Sequence, residues 1–397
     1  MYRYLVTKQQ ILGKQVIVSS LYDEDRHMID LALEPVTQVS LLGNIYVARV
    51  KNIVKNLDAA FVRIDANQTC YLSLKELKHP IYVKKQSKTK DLCEGDEIVV
   101  QVCKEALKTK DPGVTTNLNF PGKYVVLTTG NRKLGISSKL DAVERKRFQN
   151  LFDGKPEKGY GFIVRTNAKD VTDEEVLLEA DSLIQKYEKL KETAIHRTAY
   201  SCLYEEEAPY LKQLSSLYLD SVEKIVTDEK ELYLQMKAYQ EQHQNQIPLE
   251  FYEDDAISLS ALYGMRSAID EALGERVWLK SGAYLVIQPT EALTVIDVNS
   301  GKNVAKKDKW ENFKKINIEA AREIAHQLRI RNISGMIVVD FINLKSKEDD
   351  FELLEHFRTF LKSDPVPTDV WDMTKLGLVE VTRKKVRKSL AEALRGA

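Results

Sequence analysis

The chain has 397 residues, which suggests two or three domains with enough length to bury real cores. Hydrophobic residues make up 43% and charged residues 30%, a balance that excludes a disordered, collagen-like or membrane-spanning chain. The 59 basic and 59 acidic residues cancel, so the net charge by itself indicates no class of partner.

The chain shows no signal for export, membrane insertion or metal-knuckle formation. The start, MYRYLVTKQQILGK, lacks a long apolar region, and no later segment approaches the ~20 apolar residues that span a bilayer. We therefore expect a cytoplasmic protein without a membrane partner. The cysteines predict neither a disulfide framework nor a zinc site, because Cys70, Cys93, Cys103 and Cys202 form no C-x-x-C pair.

The first part of the chain has the pattern of β-structure. Residues 1–38 contain YRYLVT, QVIVSSLY and MIDLALE, separated by polar breaks, which predict antiparallel strands. From Leu41 to about Val102, segments such as GNIYVARVKNIV and EGDEIVVQVCKE are separated by turn signals, and about five short strands here are typical of an OB-type barrel. A basic loop, KEALKTKDPG, follows.

The middle of the chain mixes strands and helices. TTNLNF, KYVVLTT and GISSKL predict strands, and GFIVRTNA predicts a strand between helices near 138–152 and 172–193. In the acidic stretch 201–255, ELYLQMKAY is interpreted as a strand-to-helix transition. ISLSALYGMRSAIDEAL predicts one helix that ends at Gly274.

The last part alternates strands with helices and predicts an α/β layer. VWLKSGAYLVIQ is typical of a hairpin with Gly282 at its turn, and ALTVIDVNSGK predicts the next strand. A helix near 312–331 carries one apolar stripe, formed by Ile316, Ala320, Ile324, Ala325 and Leu328. The strand GMIVVDFINL, the helix DDFELLEHFRTFLK and the strand LVEVTRKK follow.

Charge is segregated along the chain although the total is zero. Residues 301–331 carry nine basic and four acidic side chains, and residues 375–397 carry seven and two. Residues 201–255 carry four basic and thirteen acidic side chains. This pattern predicts a face that attracts a polyanion, and the alternative is a set of ordinary solvated helix faces.

Two aspartates end matched apolar runs and are the strongest candidates for chemistry. Asp297 follows ALTVI and Asp340 follows MIVV. Two carboxylates on neighbouring buried strands would repel each other, and a divalent cation would resolve that conflict. Mg²⁺ suits a site with few protein ligands because it keeps several waters, and Asn299 falls on the same side of its strand as Asp297 and could orient it. The alternative is that each aspartate only caps a turn. His326 is interpreted as structural.

Two further sets of residues have the chemistry of nucleic-acid binding. Phe61 and Tyr71 fall on consecutive strands of the expected barrel, where aromatic faces stack on unpaired bases, although a strand aromatic is more often part of a core. Phosphate contacts beside them would come from Arg49, Lys51, Lys104, Lys108 and Lys110. Arg165 and Thr166, at the end of GFIVRT, could clamp a phosphate or simply leave a strand.

Several of these motifs together resemble the catalytic core of the ribonuclease E/G family. They are TEALTVIDVNSGK, INIEAAREIAHQLRIRNISGMIVVDFINL and LGLVEVTRKKVRKSL, together with LLGNIYVARV, LDAAFVRID and VWLKSGAYLVI. The resemblance implies a composite α+β and α/β fold. An RNase-H-like subdomain (1–38 plus 212–273) would contain an inserted OB-fold, S1-type RNA-binding domain (39–115) and a 5′-sensor region (116–211). A DNase-I-like catalytic subdomain (274–397) would follow.

The resemblance also implies roles for individual residues. Asp297 and Asp340 match the family's metal-binding aspartates, and Asn299 matches its supporting asparagine. The RNA channel would involve Phe61, Tyr71 and Lys110, and the 5′-monophosphate clamp Arg165 and Thr166. Pro367 stands where we expect a further basic residue of the 5′-phosphate site, so the sequence leaves open whether a 5′-monophosphate is sensed.

The family resemblance predicts an Mg²⁺-dependent endoribonuclease that cleaves single-stranded RNA to 5′-phosphate and 3′-hydroxyl ends, with one catalytic ion. The chain stops at Ala397 without the C-P-x-C-type zinc-link, so we expect no zinc, no scaffold tail for a degradosome, and any homodimer to use other contacts. The alternatives are a catalytically inactive RNA-binding protein on the same scaffold and a nuclease that acts on DNA.

Overall fold

The computed structural model describes residues 1–36, 40–106, 111–155, 159–216, 222–243, 245–301 and 309–395. The chain divides into two compact units: one is continuous, Val39–Ala208, and the other combines Met1–Gln38 with Pro209–Gly396. The finer division into four parts, and the likeness of two of them to RNase H and DNase I, stay predictions. Among the described residues no helix has the length and apolar content that crossing a bilayer requires.

Secondary structure covers most of the described residues. The first strands are β1 (Tyr2–Ile11), β2 (Lys14–Tyr22), β3 (Met28–Pro35), β4 (Ile45–Val54), β5 (Ala59–Arg63), β6 (Thr69–Ser73), β7 (Tyr82–Lys84), β8 (Glu97–Lys104), β9 (Gly113–Thr115), β10 (Asn119–Pro121) and β11 (Val125–Thr128). The later strands are β12 (Gly135–Ile136), β13 (Gly161–Val164), β14 (Cys202–Tyr204), β15 (Val222–Thr227), β16 (Leu249–Phe251), β17 (Arg276–Trp278), β18 (Tyr284–Pro289), β19 (Thr294–Asn299), β20 (Gly335–Asp340), β21 (Thr368–Met373) and β22 (Leu378–Arg383). The helices are α1 (Ala142–Leu151), α2 (Asp173–Ala194), α3 (Pro209–Ser216), α4 (Lys230–His243), α5 (Leu259–Leu262), α6 (Met265–Leu273), α7 (Lys309–Ile330), α8 (Lys347–Leu361) and α9 (Leu390–Arg395).

The continuous unit contains a closed five-stranded barrel. Strands β4, β5, β6, β9 and β8 pair in that order, and β8 pairs back to β4. Alternate residues such as Ala60, Val62, Cys70 and Leu72 fill its interior. The predicted β-barrel is therefore confirmed, and its strand number is consistent with an OB-like fold.

The same unit has a second sheet, in the order β10-β11-β13-β12, with a separate core. Helix α2 packs on this sheet through one buried stripe that includes Val176, Leu183 and Tyr187. A capping box at Thr172 and Glu175 begins the helix, because each side chain accepts a hydrogen bond from the other residue's backbone N–H. This sheet and helix hold strand β13, which ends directly before Arg165.

The discontinuous unit contains two sheets. One has the order β16-β15-β1-β2-β3 and packs against α6 and α9. The other has the order β17-β18-β19-β20-β22-β21, and α7 and α8 cover one of its faces. Strands β19 and β20 are parallel, and α7 lies between them in the chain, as in a βαβ unit. The predicted apolar stripe of α7 is confirmed, since Ile316, Ala320, Ile324 and Leu328 are buried.

Two local predictions are wrong. ISLSALYGMRSAIDEAL forms two helices, α5 and α6, because Gly264 adopts a φ of +58° that ends the first helix and begins the second. ELYLQMKAY is helical throughout, as part of α4, and the strand β15 precedes it. The helical spacing of Leu232, Met236 and Tyr239, all buried, determines this outcome.

The basic segments are less free than their sequences indicate. Many of their described cations contact acidic or carbonyl partners within this unit: Lys314 with Asp349 and Glu352, Arg329 and Arg387 with Asp30, Arg331 with Gly274, Arg383 with Asp364, and Lys385 with Glu392. Fewer of these cations are therefore available to bind a polyanion than the sequence indicates. Residues 302–308 of this segment lie outside the described residues.

Candidate active site and nucleic-acid interface

The two candidate aspartates lie directly beside each other. Asp297 on β19 and Asp340 on β20 are register partners across the parallel pair. Register partners point to the same face of a sheet, and neighbouring strands lie about 4.8 Å apart. The fold thus brings together two side chains that are separated by more than forty positions in the sequence.

This carboxylate pair occupies the open face of the six-stranded sheet. Ile296, Val298, Ile337 and Val339 point to the other face and are buried under the helices. Asp297 is only partly buried and Asp340 is exposed, so the interpretation of charges inside a buried strand is wrong. The apolar runs misled because Val295, Val338 and Met336 are apolar residues on the open face.

The surroundings of the pair suit a divalent cation. Asn299 donates a hydrogen bond from Nδ2 to Oδ2 of Asp297, at 2.6 Å. In the described ranges neither aspartate forms an ion pair with a lysine or arginine, and no group of three or more His, Cys, Asp or Glu residues that could hold a metal ion occurs. Two carboxylates leave ligand positions for water and substrate phosphate, an arrangement that is compatible with Mg²⁺.

The carboxylate pair does not belong to the cavity that α6 and α7 line in the same unit. A cavity of about 770 Å³ in the same unit is lined by residues of α6 and α7 and by Tyr22, His27 and Trp278. Neither Asp297 nor Asp340 lines it. An open sheet face suits a polymer that crosses the surface better than an enclosed small molecule.

His326 has a structural setting, as the sequence indicated. It lies on α7, where Nε2 is 2.8 Å from the carbonyl oxygen of Met28 and Nδ1 is 3.2 Å from Oε1 of Glu323. Burial opposes the charged form, but the Glu323 carboxylate outweighs it and raises the pKa of His326. The contact with Met28 ties α7 to the start of β3, and the contact with Glu323 lies within α7.

The barrel presents an aromatic pair on its outer surface. Phe61 on β5 and Tyr71 on β6 are register partners, with ring centroids 6.1 Å apart and nearly perpendicular ring planes. Tyr71 also pairs with Gly113, which pairs with Lys104, so the two rings, a glycine and a cation form one row across the barrel. Gly113 is buried, and the aliphatic carbons of Lys104 lie 3.2–3.5 Å from the position that a Cβ of Gly113 would occupy, so Lys104 packs closely against this row.

The other expected cations differ in availability. Arg49 is committed to Glu97, with Nη2 2.7 Å from Oε1, and its guanidinium lies over the Tyr200 ring. Lys51 and Lys104 are exposed. Lys108 and Lys110 lie outside the described residues, so the role of Lys110 stays a prediction.

Arg165 and Thr166 end β13 as expected. Arg165 donates from Nη1 to the carbonyl oxygen of Gly122 at 2.6 Å, which holds its guanidinium beside the loop before β11. The Thr166 hydroxyl is 2.9 Å from the hydroxyl of Ser137. The guanidinium of Arg165 contacts the loop on the β11 side of β13, whereas the Thr166 hydroxyl contacts Ser137 on the β12 side. A shared phosphate clamp formed by Arg165 and Thr166 therefore stays a prediction.

Glu179 was missed by sequence reasoning. Its carboxylate, on α2, accepts hydrogen bonds from the backbone N–H groups of Lys123, Tyr124 and Val125 at 2.6, 2.7 and 2.9 Å. These contacts fix the loop whose Gly122 carbonyl holds Arg165. The sequence could have indicated a turn at residues 122–124, but not its contact with Glu179, because the two segments are more than fifty residues apart.

Pro367 is exposed and directly precedes β21. Its carbonyl oxygen accepts a hydrogen bond from the backbone N–H of Lys384 at 3.0 Å. Proline offers neither a cation nor an N–H donor that could bind a phosphate at this position. The effect of Pro367 on recognition of a 5′-monophosphate therefore stays open.

Comparison with known proteins identifies the family. Residues 119–386 match the model of the ribonuclease E/G family. The chain is 35% identical to ribonuclease E of Nostoc sp. strain PCC 7120 over 97% of its length, and 33% identical to ribonuclease G of Haemophilus influenzae over 92%. It is 30% identical to ribonuclease G of Escherichia coli K12, also over 92%. The chain spans 57% of the Nostoc relative and 77% of each ribonuclease G. It belongs to the ribonuclease E/G family.

Proposed function

We propose that this protein is an Mg²⁺-dependent endoribonuclease that cleaves single-stranded RNA in RNA processing or decay. The observation that carries the proposal is the register pairing of Asp297 with Asp340, with Asn299 hydrogen-bonded to Asp297. The names of its relatives, ribonuclease E and ribonuclease G, support the same activity.

In the proposed reaction, Asp297 and Asp340 would hold the ion. Bound Mg²⁺ supplies polarisation of the scissile phosphate and a lowered pKa for a coordinated water. Asn299 keeps one oxygen of Asp297 in place. Attack by water on the phosphorus breaks its bond to the 3′ oxygen, so the products carry a 3′-hydroxyl and a 5′-phosphate.

The continuous unit, Val39–Ala208, would bind the RNA strand. Phe61 and Tyr71 offer faces to unpaired bases, and Lys104, with Lys110, would contact phosphates. Arg165 and Thr166, next to Ser137, would hold the 5′-terminal phosphate. In this proposal, residues 39–115 are the RNA-binding domain, 116–211 the 5′-sensor region, and 274–397 the catalytic subdomain that follows the RNase-H-like parts 1–38 and 212–273.

The test is a cleavage assay with matched single-stranded RNA, duplex RNA and single-stranded DNA, with Mg²⁺ or with chelator. We expect cleavage only of single-stranded RNA and only with Mg²⁺. The double variant Asp297→Asn, Asp340→Asn should lose at least about a hundredfold in rate and still bind RNA, because several kcal/mol of charge stabilisation disappear.

Asp369→Asn is the matched control, since Asp369 is an exposed aspartate of the same sheet, on its edge strand β21. It should cleave at the wild-type rate. A double variant that still cuts would remove the aspartates from the mechanism. A wild-type protein that binds RNA without cutting it would establish the non-catalytic alternative instead.

A further inference from the structure

An arginine and two aromatic rings cluster on the edge of the six-stranded sheet. The guanidinium of Arg276 lies 4.6 Å from the ring centroid of Tyr284 and 5.8 Å from that of Trp278. The two rings are 5.1 Å apart and tilted by 56°. The contacts of the Arg276 guanidinium are with these two rings, and among the described residues it forms no ion pair with a carboxylate, so its N–H donors are available to a ligand.

Strand register places this cluster on the same face as the carboxylate pair. Arg276 is opposite Val286, which is opposite Asp297, which is opposite Asp340. Trp278 is opposite Tyr284, which is opposite Asn299. Each step is one strand spacing, so the backbones of Arg276 and Asp297 are about 10 Å apart.

The cluster is open to solvent. Trp278 is 62% exposed, Arg276 is exposed and Tyr284 is partly exposed. A tryptophan used for packing would be largely buried, whereas this ring keeps a face available. Cation–π contacts hold the guanidinium beside the rings, so the three side chains combine a stacking surface with a phosphate donor.

We propose that Arg276, Trp278 and Tyr284 form a nucleotide-binding subsite beside the carboxylate pair. This inference rests on the proposed function. The rings stack on the unpaired base of a nucleotide adjacent to the scissile linkage, and Arg276 contacts its phosphate. Because every base has an aromatic face, the subsite selects for unpaired RNA rather than for sequence.

Tryptophan fluorescence tests the stacking directly. The chain has three tryptophans, and Trp310→Phe with Trp371→Phe leaves Trp278 as the single reporter. With chelator present to prevent cleavage, a titration with a short oligoadenylate should quench this fluorescence along the same curve that an independent binding assay gives. Binding of the oligoadenylate without any quenching would overturn the subsite.

A double-mutant cycle tests the position of the base. One abasic nucleotide is moved stepwise through the RNA, and cleavage is measured under single-turnover conditions. In the wild type, one abasic position next to the scissile linkage should lower kcat/KM at least about fivefold, and Trp278→Ala should lose as much with intact RNA. In Trp278→Ala the abasic position should then cause no further loss.

Trp371→Ala is the matched control, because Trp371 is 60% exposed on β21, at the opposite edge of the same sheet. It should cleave intact RNA like the wild type.

Arg276→Gln should weaken RNA binding and reduce the salt dependence of that binding. If the loss in kcat/KM from Trp278→Ala adds to the loss from the abasic nucleotide at every position, the subsite is refuted. The proposed function then still stands, because the wild type cleaves RNA. If the wild type neither binds nor cuts RNA, the proposed function fails and the subsite fails with it.

Discussion

Glu34 is a partly buried residue whose carboxyl group lacks a full set of partners. It lies on β3, and its Oε1 has no hydrogen-bond partner among the described residues. Burial raises the pKa of Glu34 to about 7, although the nearby Arg387 opposes the shift. The folded state therefore binds this proton more tightly than the unfolded chain between pH 4.5 and about 7.

Stability from this group is complete below pH 4.5 and is lost as the pH rises to about 7. The lost free energy of unfolding is at most about 3 kcal/mol. We expect Glu34→Gln to be more stable than the wild type at pH 8 and similar to it at pH 4.5, in urea unfolding experiments. Glu253→Gln, at an exposed glutamate, is the control. Parallel pH curves for the wild type and Glu34→Gln would contradict the burial argument.

Asn299 is the residue through which the candidate metal site can be tuned without removing a ligand. Its amide fixes Oδ2 of Asp297. Loss of such an outer contact costs about 10- to 100-fold in metal affinity or activity. Asn299→Ala should therefore need more Mg²⁺ for half-maximal cleavage, by at least about tenfold.

The measurement for Asn299→Ala is a Mg²⁺ titration of the cleavage rate. Gln288→Ala provides the control, because Gln288 is an exposed amide on the same face of the neighbouring strand β18. An unchanged Mg²⁺ requirement in Asn299→Ala would show that Asp297 holds its geometry without this contact.

At the scale of elements, the basic residues after β21 have different physical roles. Arg383, the last residue of β22, is almost fully buried, and Nε lies 2.7 Å from Oδ2 of Asp364. Its Nη1 donates to Oδ1 of Asn332 and to the carbonyl oxygen of Ile333. Lys384, the next residue, is exposed. One cation therefore holds elements together and its neighbour faces solvent.

Replacement of Arg383 should expose this difference. Arg383→Gln leaves the Asp364 carboxylate buried without its cation, and we expect a loss of about 3–5 kcal/mol in the free energy of unfolding. Lys384→Gln should change it by less than about 0.5 kcal/mol. Chemical unfolding of both variants measures the two values, and similar losses would refute the assignment of Arg383 to a structural ion pair.

Features that depend on residues close together in the sequence could be predicted, whereas contacts between distant segments could not. Short-range patterns predicted most strands and the stripe of α7, because alternation and helical spacing determine these features. They identified Asp297 and Asp340 as matched strand ends, but only the sheet shows that the two are register partners. The cluster of Arg276, Trp278 and Tyr284 was not predicted. It depends on the register of a hairpin, and the sequence specifies that register only together with the whole sheet.

Other misses have the same origin. The sequence does not show that Arg383 meets Asp364 or that Glu179 meets the loop after Gly122, because both contacts join distant segments. A run of basic residues therefore predicts charge but not its availability. The break at Gly264 was missed because a single glycine within a helical pattern only lowers helix stability unless it adopts a positive φ.

At the scale of the whole molecule, the continuous unit has the features of an insertion that can be removed. Among the described residues, the buried members of its two cores lie between Ile45 and Ala194. Its first and last strands, β4 and β14, are hydrogen-bonded neighbours, with Cys202 opposite Tyr46. The backbone N–H of Glu206 also donates to Oδ1 of Asn44 at 2.8 Å. Entry and exit of the chain are therefore adjacent without any help from the other unit.

We expect residues 39–208, expressed alone, to unfold in one cooperative transition and to bind single-stranded RNA without cutting it, since they include the aromatic pair of the barrel and lack both aspartates. Calorimetry and RNA titration measure the two properties.

Phe61→Leu with Tyr71→Leu should weaken binding at least about fivefold and leave the unfolding transition intact, because stacking surface is lost from the outside of the barrel. Leu57→Ala, at an exposed apolar residue of the same barrel, should bind like the parent fragment. A fragment that lacks a cooperative transition would show that its cores need the other unit. RNA affinity that is insensitive to the two aromatic replacements would place the RNA on another surface.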